Sequence, residues 1–364
     1  MGYEVDFIAV GEQSMSGDAI AVRFGNLEGN RDEQTVIVID GGYKNSGEEL
    51  VSHIKNHYST DVVDLVILTH PDSDHASGLH VVVDELTVKK IWMHKPWEHN
   101  EGKAIKFSDG RVTDNSIADR LKSALETAYD LHQLAVKKGI PIDEPFTGLR
   151  HNTGCVEVIG PTFEYYNELL LQFSGMPADI ATESASSNMA PLEKVKEKVM
   201  EWISERWSID LISDQGDTTS AQNHSSAIIQ MNIDNTRLIF TGDAGRESLE
   251  KAADHIGDLN NLDNLVFIQV PHHGSFRNIG PKVLDKLVGK IKQQNHKPHF
   301  TAFCSSAKAG APKHPSKKVL NAFTRRGANV LVTAGKNIRF SKDAPKREGW
   351  TAVNPEPFHD NVEV

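Results

Sequence analysis

Residues 62–78, VVDLVILTHPDSDHASG, decide both the fold and the chemistry expected of this chain. The mostly apolar run at 62–69 is typical of a buried strand, and a helix is predicted from Ala76 to Leu86. Between them lie four candidate metal ligands within six residues: His70, Asp72, Asp74 and His75. Imidazole and carboxylate groups in a loop after a rigid strand suit zinc, manganese or iron. We therefore predict a metal site here, against the plainer interpretation of a polar loop with a capping Asp.

Three other predicted strands also end in polar residues. They are TVIVID at 35–40, which runs into Gly41; Arg237–Thr241, which precedes Gly242 and Asp243; and Leu265–Val270, which precedes PHHGS at 271–275. Short strands come first along the chain, and strands that alternate with helices follow. This order predicts an α/β (α+β) protein in which sheets are covered by helices.

One domain is predicted for residues 1–342, followed by a C-terminal tail at 343–364. A helical insertion is predicted at about 163–210, where the charge-rich pattern of Leu192–Trp207 indicates an amphipathic helix. The pattern of Ser116–Lys138 predicts a further helix before it. We interpret the insertion as a lid over the site.

The composition is that of an ordinary globular protein, with 38% hydrophobic and 24% charged residues among 364. The sequence has no apolar run near the roughly 20 residues that a membrane-spanning helix needs, and its first residues do not resemble a secretory signal. The only cysteines are Cys155 and Cys304, which excludes a disulfide framework. We therefore predict a cytoplasmic protein without a membrane partner.

The net charge of −11 is unevenly distributed. Residues 282–347 contain sixteen Lys or Arg and two acids, a balance of +14, so the remainder carries −25. Such a stretch is one feature of nucleic-acid-binding proteins. The alternative is a solvated surface that balances an acidic half.

The loop His70–His75 resembles the H-x-H-x-D-H motif of the metallo-β-lactamase superfamily, with Asp72 in place of the second His. The resulting H-x-D-x-D-H is similar to the metallo-hydrolase domain of the ComEC DNA-uptake proteins. Other motifs of that subgroup resemble VGEQSMSGDAIAVRFG at 10–25, VIVIDGG at 36–42, NHSSAII at 223–229, LIFTGDAG at 238–245, VPHHGS at 270–275, KHPSKKVLNAF at 313–323 and GANVLVTAGKNIRF at 327–340. The resemblance covers roughly 1–95 and 215–342, and it leaves the helical middle unexplained.

The resemblance implies an αββα metallo-β-lactamase sandwich with two divalent metal ions, zinc or manganese. It implies these metal ligands: His70, Asp72, Asp74, His75, His224, Asp243 and His272. Asp243 matches the carboxylate that bridges two ions, and Asp40 is expected to hold a metal-ligating His in its correct tautomer. Because Asp72 supplies an oxygen donor where the superfamily motif has an imidazole, we expect a preference for harder ions such as Mn²⁺.

The remaining histidines leave alternatives open. His224 lies nineteen residues before Asp243, as a third-motif His does in many superfamily members, but it could equally be a surface residue. His272 and His273 follow a strand, where adjacent side chains point to opposite sides, so we expect only one to bind metal. His314 precedes a predicted helix and is either a site residue or part of an ordinary loop.

The resemblance implies a metal-dependent hydrolase, a phosphodiesterase or nuclease that uses a metal-bound hydroxide. Asp74, His273 and His314 are its predicted catalytic residues, Asp74 orienting the nucleophile and the histidines serving the leaving oxygen. Two other classes stay open: a hydrolase of a small ester, lactone or cyclic nucleotide, and a non-catalytic metal-binding subunit. The predicted partner is nucleic acid, bound through 282–347, with a protein partner or homo-oligomer as further interpretations.

Overall fold

The computed structural model of this chain describes residues 1–11, 16–177, 202–216, 218–257, 264–308 and 314–363. In chain order the strands are β1 (Gly2–Phe7), β2 (Ala19–Gly25), β3 (Gln34–Gly41), β4 (Val62–Val63), β5 (Leu65–Ile67), β6 (Thr87–Val88), β7 (Ile91–Trp92), β8 (Ile142–Asp143), β9 (Val156–Gly160), β10 (Trp202–Ser204), β11 (Ile228–Ile233), β12 (Thr236–Phe240), β13 (Leu265–Gln269), β14 (Phe300–Cys304), β15 (Ala328–Val332), β16 (Ile338–Lys342) and β17 (Asn361–Glu363).

The α-helices are α1 (Lys44–His57), α2 (Ser73–Glu85), α3 (Asp114–Ala124), α4 (Glu126–Lys138), α5 (Phe163–Leu170), α6 (Ala221–His224), α7 (Arg246–Ile256), α8 (Pro281–Val288) and α9 (Lys317–Arg325). None of the described helices combines the length and the apolar composition that crossing a membrane requires.

Two large sheets form the body of the fold. The first has the strand order β16-β1-β2-β3-β5-β7-β8, and the second has the order β15-β14-β13-β12-β11-β9. Strands β3, β5, β7 and β8 run parallel in the first sheet, as β12 to β15 do in the second. Polar residues that follow these parallel strands therefore gather at the carboxyl edges of the sheets, where α/β proteins bind ligands.

Successive side chains of the strands pack into different layers. In β3, Ile37 and Ile39 face the second sheet, whereas Val36 and Val38 pack with apolar residues of α1 and α2. Helices α7, α8 and α9 cover the outer face of the second sheet. This alternation is the two-residue period of a strand. The predicted αββα sandwich is confirmed.

Helix α2 begins earlier than the sequence predicted. Asp72 is its N-cap, with extended backbone at φ −69° and ψ 147°. The backbone carbonyl of Asp72 accepts hydrogen bonds from the N–H groups of His75 and Ala76, at 3.1 and 3.0 Å. Asp is a favoured residue at this position. The helix therefore starts at Ser73 instead of Ala76, and Asp74 and His75 lie in its first turn.

The helical middle differs from its prediction in two places. The helix predicted at Ser116–Lys138 is two helices, α3 and α4, separated at Leu125, whose φ of −116° and ψ of 36° are not helical. The helix predicted at Leu192–Trp207 lies outside the described residues up to 201. Residues 202–204, which fall within the predicted helix, form strand β10 instead, because their backbone pairs with that of β17.

The segment predicted as a C-terminal tail packs along the domain. Arg347 forms ion pairs with the buried carboxylates of Glu4 and Asp6 on β1. The backbone N–H of Glu356 donates to the carbonyl of Val330 on β15 at 2.8 Å. Strand β17 then closes the segment by pairing antiparallel with β10.

Five of the sixteen basic side chains of residues 282–347 form ion pairs within the chain. Lys286 contacts Glu250 and Asp254, Arg325 contacts Glu205, Arg326 contacts Asp210 and Asp285, and Arg339 and Arg347 contact Glu4. Of these acids only Asp285 belongs to the basic stretch. For these five side chains the structure favours the alternative in which the basic stretch balances acidic residues of the same chain. The nucleic-acid partner stays a prediction.

Candidate metal centre

Asp243 lies at the centre of the candidate site, on the loop after β12, and its side chain is buried. Its Oδ1 is 3.5 Å from His75 Nε2 and 3.7 Å from His273 Nε2. Its Oδ2 is 3.4 Å from His272 Nε2 and 3.8 Å from His70 Nε2. Each carboxylate oxygen therefore faces one pair of imidazoles, with one ring from the loop after β5 and one from the residues after β13.

The two carboxylates of the loop stand at the outer side of this group. Asp72 Oδ2 is 3.7 Å from His70 Nε2, and Asp74 Oδ2 is 3.9 Å from His75 Nε2. Their side chains are 33% and 28% exposed, so both remain open to solvent or substrate. Gln222 donates a hydrogen bond to Asp72 Oδ1 at 2.8 Å. The structure thus brings all four predicted residues of the loop beside Asp243.

Asp18 belongs to the centre, and the sequence analysis missed it. Its two oxygens lie 4.0 Å from His75 Nδ1 and 3.8 Å from His273 Nδ1. Asp18, His75, Asp243 and His273 are all buried, and each offers a ligand atom within 4.8 Å of the others. Gln269 donates to Asp18 Oδ2 at 2.8 Å. The signal was present in the GDAI of the motif at 10–25, whose resemblance was noted without a role for Asp18.

The double-histidine turn, residues 271–275, brings both of its rings to Asp243. The argument from alternating sides therefore does not hold for this turn, and whether one or both of them bind metal stays a prediction. His272 has φ 46° and ψ 54°, and His273 has φ 52° and ψ 29°. These are left-handed conformations, whereas side chains alternate between two faces only in extended backbone. His273, predicted as catalytic alone, therefore also stands among the candidate ligands.

Asn278 is a second site residue that sequence reasoning did not find. It is fully buried, its Oδ1 lies 2.9 Å from His272 Nδ1, and its Nδ2 donates to the backbone carbonyl of Asp243 at 2.7 Å. A hydrogen bond at Nδ1 fixes the tautomer that leaves Nε2 available for a metal. No spacing rule identifies such a residue, because the contact exists only once the turn has folded.

Asp40 takes the corresponding position on the other side. His75 Nδ1 lies 2.8 Å from Asp40 Oδ2, which leaves His75 Nε2 pointing to Asp243. The backbone N–H and the hydroxyl of Thr69 also donate to Asp40, at 2.8 and 2.7 Å. This is the geometry in which a carboxylate orients a metal-ligating imidazole.

The last two predicted histidines differ in their placement. His224 lies outside the group, because its Nε2 is 2.9 Å from the Thr218 hydroxyl and its Nδ1 is 2.9 Å from the Ser248 hydroxyl. Both ring nitrogens are thus engaged away from Asp243. His314 lies beside the centre, with its ring nearly parallel to that of His272 and the centroids 6.3 Å apart.

The donor atoms of this centre have a physical reason to bind cations. The following buried atoms have no hydrogen-bond partner among the described residues: His70 Nε2, His75 Nε2, Asp243 Oδ1, and both ring nitrogens of His273. Buried polar atoms are normally satisfied, so each exception needs an explanation. Imidazole nitrogens and carboxylate oxygens that converge on one point are the donor set of zinc and manganese sites. The residues present fit a divalent metal.

The superfamily assignment comes from a direct comparison of the sequence. The family model described as the metallo-beta-lactamase superfamily matches residues 30–286, well over half of the chain. The chain belongs to the metallo-β-lactamase superfamily. The ComEC-type subgroup stays a prediction.

Solved structures give a more distant likeness. A metallo-beta-lactamase-type protein of Thermotoga maritima shares 9% identity, with a TM-score of 0.33, over 67% of this chain and 79% of that one. A metallo-beta-lactamase of Hirschia baltica shares 11% identity, with a TM-score of 0.30, over 79% of this chain and 99% of that one. A protein of unknown function from Enterococcus faecalis shares 10%, with a TM-score of 0.26, over 92% and 89%. No curated protein matches the sequence.

The electrostatics of this metallo-β-lactamase centre are those of closely packed charges. Burial, together with the nearby carboxylates of Asp243 and Asp40, raises the pKa of Asp18 to about 8 against the lowering effect of His75. Burial lowers the pKa of His273 to about 3. The pKa of Asp243 lies well below its ordinary value despite burial, because His272, His75 and His273 surround it. Asp243 therefore stays ionised at neutral pH, which suits a group placed between cations.

A cavity of about 250 Å³ opens beside the loop carboxylates. It is lined by Pro71–Asp74, by residues 124–127 at the junction of α3 and α4, and by Gln222. The helical middle thus forms one wall of the approach to the site. Residues 178–201 of the lid predicted at about 163–210 lie outside those described, and the lid stays a prediction.

Proposed function

We propose that this superfamily hydrolase is a phosphodiesterase that cuts nucleic acid with the help of two divalent ions. One observation carries the proposal: the two oxygens of Asp243 face two separate pairs of imidazoles. A carboxylate between two such groups is suited to bridge ions about 3.5–4 Å apart, the spacing found in two-metal phosphatases and nucleases.

The residues divide into two half-sites around Asp243. The first comprises Asp243 Oδ2, His70, His272 and Asp72, and the second comprises Asp243 Oδ1, His75, His273, Asp18 and Asp74. When bound, divalent ions acidify a water molecule and neutralise charge on a phosphodiester. The side of the centre that carries Asp72 and Asp74 is open to solvent, and substrate enters there.

The side chains of the chain supply orientation and proton transfer. Asp74, at the open side of the centre, accepts a hydrogen bond from the attacking water and directs it toward phosphorus. His314, whose ring lies beside that of His272, donates a proton to the leaving oxygen as the P–O bond breaks. The balance is that of hydrolysis: one water is consumed, its oxygen joins phosphorus, and the released alcohol gains a proton.

A manganese preference follows from the loop. Asp72 supplies oxygen where an imidazole would supply nitrogen, and harder donors favour harder cations. Gln222 holds Asp72 Oδ1 and leaves Oδ2 facing His70. We expect Mn²⁺ to support higher turnover than Zn²⁺, and equal activity with the two ions would contradict this part of the proposal.

Phe276 supports a nucleic-acid strand as the substrate. It follows the double-histidine turn directly and is 43% exposed. The backbone N–H of Ser275 donates to the carbonyl of His272 at 2.9 Å, which ties the base of this projection to the centre. An exposed aromatic ring can stack on a base, a contact worth about 1–3 kcal/mol. The proposed stacking contact with the nucleic-acid substrate therefore lies next to the metal centre.

The Phe276→Ala variant tests this grip. Loss of one stacked base should weaken oligonucleotide binding by roughly 5- to 100-fold, measured with a fluorescently labelled strand that resists cleavage. Ile291→Ala is the matched control, because Ile291 is similarly exposed, at 42%. It lies away from the double-histidine turn, since the backbone N–H of the adjacent Lys292 donates to the carbonyl of Arg325 at the C-terminal end of α9. Equal affinity of Phe276→Ala and wild type would exclude stacking at this position.

The second candidate function is hydrolysis of a small ester, lactone or cyclic nucleotide. The cavity of about 250 Å³ beside Asp72 and Asp74 favours it, since a volume of this size accommodates one small group. The decisive experiment is a hydrolysis panel with Mn²⁺ and with Zn²⁺. Its substrates are single-stranded DNA, duplex DNA, RNA, cyclic nucleotides, a lactone and a simple phosphodiester.

Cleavage of polynucleotides that is lost in Asp74→Asn supports the proposal. Asp64→Asn is the matched control, because it is the same acid-to-amide change at a carboxylate that precedes β5 and pairs with Arg31 and Lys89. Turnover of small esters alone would support the second candidate. The absence of hydrolysis with every substrate and both ions would overturn both and favour a non-catalytic subunit.

A further inference from the structure

The double-histidine turn has an unusual backbone. His272, His273 and Gly274 have consecutive φ values of 46°, 52° and 78°. A residue other than glycine in the left-handed region costs on the order of 1 kcal/mol or more, and it persists only where its surroundings hold it in place. The turn therefore needs support from outside its own sequence.

Part of that support comes from the segment before α9. The backbone N–H of Ser316 donates to the carbonyl of Gly274 at 3.0 Å. A side chain on Gly274 would meet Pro315, whose Cβ would be 2.7 Å from the added atom, so the two backbones are in close contact. Ser316 is fully buried. The position of Ser316 thus determines where the end of the turn can lie.

Ser316 is in turn held by Glu363, at the end of β17. The Ser316 hydroxyl donates to Glu363 Oε1, and the backbone N–H of Lys317 lies 3.3 Å from Oε2. The Glu363 side chain is buried at the N-terminus of α9, where the helix dipole favours a negative charge.

The strand that carries Glu363 is itself fixed on both sides. Val362 is fully buried and pairs with Ile203 of β10. Asn321 on α9 donates to the carbonyl of His359 at 2.8 Å. The Glu363 carboxylate therefore reaches Ser316 from a strand that is fixed by its contacts with β10 and α9.

We propose that Glu363 is a positioning residue for the metal centre, acting through Ser316 and Gly274 on His272 and His273. The carboxylate fixes Ser316, Ser316 fixes the carbonyl of Gly274, and the turn then presents two imidazoles to Asp243. The C-terminal strand is in this way part of the support of a site whose candidate ligands end at residue 273. The inference rests on the metal-holding part of the proposed function and not on the substrate.

The test measures metal binding by the full chain, with Mn²⁺ titrated calorimetrically and with the visible spectrum of Co²⁺. Glu363→Gln keeps the size of the side chain and removes its charge. We expect its dissociation constant for Mn²⁺ to rise about 10- to 100-fold, the usual effect of losing a residue that orients a ligand, and the Co²⁺ spectrum to change. Ser316→Ala should change both readouts in the same direction by a smaller factor, and it keeps the test valid if Glu363→Gln folds poorly.

Val362→Ala is the matched control, because it weakens the packing of the same strand and leaves the carboxylate in place. It should lower the melting temperature while its Mn²⁺ affinity stays within about twofold of wild type. Wild-type affinity in both Glu363→Gln and Ser316→Ala would overturn the inference. A loss of affinity in Val362→Ala as large as that in Glu363→Gln would also overturn it, since the effect would then be one of general stability. If wild type binds neither ion, the metal centre itself is refuted, and the inference with it.

Discussion

The two sides of the metal centre present histidines in opposite ways. On the loop side, His70 and His75 lie in a short loop after β5 and in the first turn of α2, and no residue from Leu65 to Glu85 has a positive φ. On the turn side, His272 and His273 come from left-handed backbone, and their support is spread over Asn278, Ser316 and more distant residues.

The loop side is held by close backbone contact. Helix α2 lies so near the end of β3 that a side chain on Gly78 would place its Cβ 1.9 Å from the carbonyl oxygen of Gly41. The N–H of Gly78 donates to the carbonyl of Gly42 at 2.9 Å. The comparison shows that one half of a site can be encoded within a few neighbouring residues, while the other half depends on contacts across the chain.

Removing the group shared by both sides should have the largest effect. Asp243→Asn takes away the charge between the four imidazoles. We expect turnover to fall by more than the 10- to 100-fold that is typical of residues which only orient ligands, and metal content to fall with it. Kinetics and metal analysis of the purified protein are the measurements. A variant that retains two ions per chain would show that the two sides bind independently of Asp243.

The orienting residues of the two sides allow a paired test. Asp40→Asn acts on His75 and Asn278→Ala acts on His272, and each should weaken Mn²⁺ binding by about 10- to 100-fold. Calorimetric titration measures both, with Asp64→Asn as the control for the acid-to-amide change. If Asp40→Asn binds Mn²⁺ as tightly as wild type, the loop and helix α2 orient His75 for metal binding without this carboxylate.

The contact of α2 with β3 can be disturbed directly. Gly78→Ala forces the helix away from Gly41, and we expect the free energy of unfolding to fall by about 1–3 kcal/mol, as for other overpacked sites. Denaturant unfolding measures this. Gly110→Ala is the control, because no atom lies within 4 Å of the position of its added Cβ. Equal stability of the two variants would mean that the close approach is not needed.

The last expected effect appears only below neutral pH and concerns acid stability in the layer that covers the loop side. His94 is buried, stacks on Tyr166 with centroids 4.4 Å apart, and neither ring nitrogen has a hydrogen-bond partner among the described residues. Burial lowers its pKa from 6.5 to about 3. Between these values the unfolded chain binds a proton that the folded chain does not, so stability is present above pH 6.5 and is lost as the pH falls toward 3.

The slope from this one group is at most about 1.4 kcal/mol per pH unit. Urea unfolding at several pH values, for wild type and His94→Phe, measures it, and the variant should show the shallower dependence. Parallel curves would show that His94 does not titrate on unfolding in this range.

The sequence predicted what is local and missed what is not. The four ligand-type residues of the loop were visible because they lie within six positions. The order of the strands predicted sheets covered by helices, and the αββα sandwich came from the family resemblance. Asp18 was overlooked because its motif was noted for its resemblance without a role for the carboxylate. His224 satisfied a spacing rule, yet its ring turns to Thr218 and Ser248. Asn278 and Glu363 act through contacts that no spacing rule encodes.

The position of β1 has a consequence for synthesis. This first strand lies between β2 and β16, so Tyr3 pairs with Phe24 on one side and with Lys342 on the other. During translation, one side of β1 therefore stays unpaired until residue 342 has left the ribosome. Ser316 lacks its carboxylate partner until residue 363 follows. Contacts of such long sequence separation form late. A nascent chain would contain the loop histidines long before it could hold a metal on both sides, so the centre would mature only after residue 363 has been synthesised.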